Sequence, residues 1–254
     1  MEILVLIKKV PDANLPETLV TIAPDGGAIQ LHPAAQVGVN LYDLNAVELA
    51  VTLKEAHGGT VTVMTAGDAS TEQYLRRAVS MGADRAVRVD VTTDVLTDPH
   101  AVAGALAAAI RQAGNFQVIL AGRQASDTDA GLVPHAVAVA LDAPSLAPVV
   151  SVGDVTGTSV VAGKLSDATV DHYEMPFPAV LCVSNEINKP RVPSLKGVMA
   201  SKKVAIEVIA VEAEARAAKA SYAMKAGTKA AATVVVKDGS DDDKAAALLA
   251  VLGM

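Results

Sequence analysis

The 254-residue sequence predicts an α/β fold with a mostly parallel sheet, and three observations carry that expectation. Short runs of branched apolar residues recur along the chain. Longer alanine-rich segments with apolar positions at helical spacing separate them. The hydrophobic content of 51% is enough to cover both faces of a sheet. With two Phe, four Tyr and no Trp, the core must be built from Ala, Val, Leu and Ile.

The elements follow in order. ILVLI (3–7) is continuously apolar over a strand's length, as strands buried on both faces are. YDLNAVELAVTLKEA (42–56) has helical spacing, VTVM (61–64) is the next strand, and TEQYLRRAVSMGA (71–83) the next helix. AVRV (86–89) is a third strand; PHAVAGALAAAIRQAG (99–114) predicts a helix that Gly114 closes. QVILAG (117–122) and AVLCVS (179–184) complete the buried runs, with a second alanine-rich helix after the first of them. Between 145 and 175 the runs shorten and glycines intrude (VVSVGDVTGTSVVAG), which predicts antiparallel strands added to the sheet. The domain is expected to span 1–210. From 211 to 254 alanine and charge dominate (EAEARAAKASYAMKAGTKAAA), predicting a C-terminal arm that ends in a helix through DDDKAAALLAVLGM, whose acidic start suits a helix N-terminus.

Composition narrows the function. A net charge of −7 and the shortage of aromatic platforms oppose nucleic-acid binding. The lone Cys182 excludes an internal disulfide or a multi-cysteine metal site and reads as core. MEILVLIKKV is too short an apolar run for a signal peptide or a membrane span, so no membrane insertion and a cytoplasmic location are expected. His32, His57, His100, His135 and His172 show no HxxxH or HxH spacing, and GxSxG, the P-loop and GxGxxG are missing. His135 is expected to cap a helix or lie at the surface.

Ligands of open α/β sheets bind outside the carboxyl ends of the strands. Two loops fall there. In AGDAST (66–71), Ala66 and Gly67 permit close backbone approach, and Ser70 or Thr71 can cap the next helix, leaving N–H groups facing an anion. GRQASDTDAGLVPHA (122–136) offers Arg123 and Gln124, then Ser126, Asp127, Thr128 and Asp129. The two aspartates read as helix caps or acceptors for sugar hydroxyls, because no further carboxylates complete an oxygen shell. Each loop alone is equally compatible with an ordinary βα connection. The residues thus describe a nucleotide-sized pocket without catalytic chemistry. One segment stands apart: NKPRVPSLKGVMASKK (188–203) carries five cations and no carboxylate around Leu195, Val198 and Met199.

From ILVLIKKVPD to about residue 210 the chain resembles the beta (small) subunit of electron-transfer flavoproteins. The resemblance rests on NLYDLNAVELAVTLKE (40–55), RRAVSMGADRAVRV (76–89), GRQASDTDAG (122–131) and, most specifically, FPAVLCVSNEINKPRVPSLKGVMASKK (177–203). It implies a doubly wound sheet of the adenine-nucleotide-binding (Rossmann-like) type. It also implies a heterodimer whose alpha subunit holds most of the FAD, while the beta subunit buries a structural AMP. Nucleotide contacts fall on Leu6, on Asn40, Leu41, Tyr42 and Asp43, and on Ala66. In the loop after the fourth buried run they fall on Gly122, Arg123, Gln124, Ala125, Ser126 and Asp127, and on Thr128, Asp129, Ala130, Gly131, Leu132 and Val133. Bifurcating members hold a second FAD in that pocket. They usually carry a Thr and a Gln where this chain has Ala130 and Leu132, which favours AMP.

The 188–203 segment corresponds to the family's recognition loop. Leu195 would enter an apolar pocket on a flavin dehydrogenase such as an acyl-CoA dehydrogenase, with Val198 and Met199 on the same helical face, while Lys202 and Lys203 steer an acidic partner. The competing expectation has these apolar residues packed on the chain's own sheet. The resemblance implies an electron carrier rather than an enzyme, passing electrons to a downstream acceptor, with the 211–254 arm packed on the alpha subunit. A free-standing adenine-nucleotide sensor or stress protein would share the sheet and pocket, but would have no use for the 188–203 loop.

Overall fold

Alternate residues of strand β1 (Glu2–Leu6) and the residue after it belong to opposite cores, Ile3, Val5 and Ile7 to one and Leu4 and Leu6 to the other. That two-sided burial is why the run is apolar without a break. The computed structural model describes residues 1–215, 221–223 and 235–252. Four short strands, β2 (Lys9–Pro11), β3 (Val20–Ile22), β4 (Ile29–Leu31) and β5 (Val37–Val39), precede helix α1 (Leu41–His57). Strand and helix then alternate through β6 (Thr60–Ala66), α2 (Glu72–Met81), β7 (Arg85–Asp90), α3 (Thr93–Leu96), α4 (Pro99–Ala113), β8 (Val118–Gly122) and α5 (Leu132–Ala140). The meander β9 (Ser145–Val155), β10 (Ser159–Leu165) and β11 (Val170–Pro176) leads to β12 (Ala179–Val183), α6 (Leu195–Ser201) and β13 (Ile206–Ala210). A last helix, α7 (Asp241–Leu252), lies near the end of the chain.

Nine strands form one sheet in the order β11-β10-β9-β12-β8-β1-β6-β7-β13. All neighbours from β9 to β13 pair parallel, and only β9–β10 and β10–β11 are antiparallel. Residues of α1 and α2 close one core and residues of α4 and α5 the other, so the sheet is doubly wound. The chain winds from β1 outward through β6 and β7, then returns to place β8 on the other side. The topological switch point therefore lies between β1 and β8.

The chain divides into two units, Met1–Thr21 with Gln30–Ala220, and Ile22–Ile29 with Ser221–Met254. In the second, α7 starts with a capping box: the Asp243 N–H donates to Ser240 Oγ (3.2 Å), and the Ser240 N–H donates to the Asp243 carboxylate (2.9 Å). Leu248, Leu249 and Val251 of this helix are exposed. Of the alanine-rich stretch 212–232 expected to form an arm, residues 216–220 and 224–232 lie outside the described residues.

Two features differ from the expectation. The 145–175 region is not wholly antiparallel, because β9 pairs parallel with β12 over Ser145–Val149 and antiparallel with β10 over Val149–Val155, with register shifts in both ladders. The strands β2 to β5 and β13 were not expected. Each of β2 to β5 has only three residues, and β13 buries only Ile209, so neither gives a periodic apolar signal.

Candidate functional site

At the switch point two buried polar side chains tie three chain segments together. Asn40 precedes α1 and is 1% exposed; its amide Nδ2 donates to Gln124 O (2.8 Å) and to Asp43 Oδ1 (3.0 Å). Its Oδ1 accepts from the Ser126 N–H at 3.2 Å. The Asp43 carboxylate also accepts from the N–H of Lys8, just past β1 (2.7 Å), and from the N–H of Gly122, at the end of β8 (2.9 Å). Burial pushes Asp43 up to about 7, against these three donors. Gly122 is required by the close approach: a Cβ there would lie 2.5 Å from Asp43 Oδ1 and 2.6 Å from Tyr42 Cβ.

The loop after β8 bends back through Asp129, whose N–H donates to Ala125 O at 2.8 Å, and enters α5 from Gly131 in left-handed conformation. Gly131 offers no capping side chain, so the first N–H groups of α5 are left for a ligand or solvent. In the same loop Arg123 lies over the Tyr42 ring, 5.0 Å from its centroid, and its buried Nε has no hydrogen-bond partner among the described residues. An orphaned guanidinium donor and an uncapped helix start fit the anionic end of a nucleotide. Lys8 and Lys9, directly after β1, reach the two loops: Lys8 Nζ pairs with Asp127 (2.7 Å) and Lys9 Nζ donates to Ser70 Oγ (3.1 Å). Sequence reading passed over both, although their place at a strand's carboxyl end was the signal.

Several expected local roles are corrected. Ser70 and Thr71 do not cap α2. Asp68 takes the capping role in the turn before it, its carboxylate accepting from the Ser70 N–H at 2.9 Å. Asp127 and Asp129 do not cap α5; the first pairs with Lys8 and the second accepts from Gln124 Nε2 (2.8 Å). His135 is neither cap nor surface residue. Its half-buried ring sits between Ser145 Oγ (2.9 Å) and Cys182 Sγ (3.9 Å). Cys182 itself is buried as expected, and that burial pushes its thiol up to about 12.

The basic segment is a separate feature. Ser194 caps α6, its Oγ accepting from the Gly197 N–H at 3.0 Å. Leu195 is 81% exposed, Met199 54% and Val198 38%, so they are not packed on the sheet. Val192, which the sequence reading did not single out, is 89% exposed. Lys202 and Lys203 are exposed. Arg191, however, is not a free cation: it donates to both Glu48 and Glu55 of α1. Burial works against the Glu48 carboxylate, but the guanidinium outweighs it and holds Glu48 below its usual range; hydrogen bonding to Arg191 lowers Glu55.

Among the described residues no three His, Cys, Asp or Glu side chains gather as a metal site would need, and no helix is long and apolar enough to cross a membrane. The sequence model of the Electron transfer flavoprotein domain matches residues 31–214. The chain is 32% identical over 213 residues to the Electron transfer flavoprotein subunit beta of Bacillus subtilis, covering 84% of this chain and 80% of that one. With the subunit beta of Syntrophomonas wolfei the identity is 36% over 184 residues, covering 70% and 71%. With Protein FixA of Azorhizobium caulinodans it is 30% over 241 residues, covering 92% and 83%. A doubly wound sheet, a match across most of it, and these relatives place the chain in the electron transfer flavoprotein family, as a beta subunit.

Proposed function

We propose that this subunit is the non-catalytic half of a cytoplasmic heterodimeric electron carrier, which takes electrons from a flavin dehydrogenase, such as an acyl-CoA dehydrogenase, for a downstream acceptor. The observation that carries this reading is the exposure of Leu195 on a capped helix turn. A large apolar side chain held in solvent is what a docking surface needs. In the pocket, Arg123 and the start of α5 would hold the anionic end of an AMP. Leu6, Tyr42 and Ala66 would line its walls, and Asn40 and Asp43 would frame the pocket from behind. The AMP would supply no redox chemistry. The FAD, held mainly by the alpha subunit at the interface, supplies the electron storage when bound. The C-terminal arm would dock on the alpha subunit through α7, whose exposed Leu248, Leu249 and Val251 offer an apolar face to bury there.

Co-expression with the alpha subunit tests the reading. A co-purifying heterodimer that is reduced by an acyl-CoA dehydrogenase with its substrate supports it. A beta chain that stays alone, or a heterodimer that only a chemical reductant reduces, contradicts it.

A further inference from the structure

Residues 188–204 are fastened at both ends. At the start, Asn45 and Asn188 exchange hydrogen bonds, Asn45 Nδ2 to Asn188 O (2.9 Å) and Asn188 Nδ2 to Asn45 O (3.1 Å). Next to them the Arg191 N–H and Nε donate to Glu48 Oε2 at 2.9 and 2.8 Å, and Nη2 to Glu48 Oε1 at 3.0 Å. Nη1 and Nη2 donate to the two oxygens of Glu55 at 2.7 and 3.1 Å. Glu48 and Glu55 stand two turns apart on one face of α1, so a single guanidinium forks onto both. At the far end, Arg76 of α2 donates to Ser201 O (2.7 Å) and Val204 O (3.2 Å). Gly197 lies so close to α2 that a Cβ there would be 2.3 Å from Ser80 O. Between these fastenings stand the exposed Val192, Leu195 and Met199.

We propose that Arg191, through Glu48 and Glu55, is a positioning residue that holds the docking segment in its binding conformation before the partner arrives. The proposal rests on the reading of Leu195 as the docking residue. Glu55 is well exposed, so its pair with Arg191 adds little to global stability, whereas Glu48 is buried and its pair with Arg191 also contributes to the fold. What a bidentate fork on two carboxylates does restrict is the path of the backbone entering α6. A segment already ordered loses less freedom on docking. Lysine keeps the charge but cannot make the fork.

The test uses the heterodimer, with an acyl-CoA dehydrogenase and its substrate as reductant and dithionite as a partner-independent control. Arg191→Lys, which keeps a cation beside the buried Glu48, should raise the KM for the dehydrogenase step about tenfold with kcat, salt dependence and dithionite reduction unchanged. Glu55→Gln should give a smaller rise of the same kind. In a double-mutant cycle, Arg191→Lys should add little once Leu195 is alanine, since the clamp acts through that residue. An unchanged KM for Arg191→Lys beside a raised KM for Leu195→Ala overturns the clamp and leaves the docking reading standing. Full additivity of the two also overturns the clamp. An unchanged KM for Leu195→Ala removes the docking reading itself, and the clamp with it.

Discussion

Truncating Leu195 to alanine separates docking from folding because the two roles give opposite signatures. The side chain is 81% exposed, so its own fold loses almost nothing. Surface substitutions stay within about 0.5 kcal/mol, which for a domain of this size moves the melting temperature by less than about 2 °C. Burying a leucine in a partner's apolar pocket contributes roughly 1.5–3 kcal/mol. A loss of about 2 kcal/mol corresponds to a fall of about thirtyfold in kcat/KM for reduction by the dehydrogenase. Both quantities are read on one preparation of heterodimer, by thermal melting and by the rate of flavin reduction at several carrier concentrations. Nucleotide content and subunit ratio should match the wild type. A variant that melts many degrees lower yet is reduced at the normal rate would show a core leucine, for which losses of about 2–5 kcal/mol are usual, and would refute the reasoning.

Three further outcomes follow from the structure. Gly122→Ala drives a Cβ into Asp43 and Tyr42 and should cost roughly 1–3 kcal/mol, seen as a lower melting temperature together with reduced nucleotide content; an unaltered protein would refute the tight contact. Because burial raises Asp43 from 3.8 to about 7, this group contributes stability that is fully present below about pH 3.8 and is lost as pH rises through 7. Relative to Asp43→Asn, which does not titrate, the wild type should therefore lose up to about 4 kcal/mol between pH 4 and 8; a gain with rising pH would mean that the Lys8 and Gly122 amides outweigh burial. The amides of α7 should exchange faster in the isolated chain than in the heterodimer, since Leu248, Leu249 and Val251 gain cover there, and equal strong protection in both would contradict the arm.

The central strands were legible because each is buried on both faces, so ILVLI and AVLCV read as unbroken apolar runs. Three-residue strands such as Ile29–Leu31, exposed throughout, leave no such trace. The two strand-end loops were legible, but the hydrogen bonds that tie them to the rest of the chain were not. Asn40 bonds to Gln124 across 84 residues, and Arg191 to Glu48 across 143. Pairings at that separation depend on which strands become neighbours. For the same reason Arg191 read as one of five positive charges of a basic loop when its charge is already held by α1, and Asp127 read as a cap or a sugar-hydroxyl acceptor when Lys8 pairs with it. The exposure of Leu195 was anticipated by the resemblance, whereas that of Val192 emerged only from the loop's path.

The most direct measurement is a count of nucleotides released by acid from the purified heterodimer. The orphaned Arg123 Nε and the uncapped start of α5 would offer donors to the anionic end of a nucleotide, and Ala130 and Leu132 supply no polar side chains for a second flavin. One AMP and one FAD per heterodimer are predicted. Two FAD and no AMP would contradict the account and place the chain among subunits that bind flavin in this pocket.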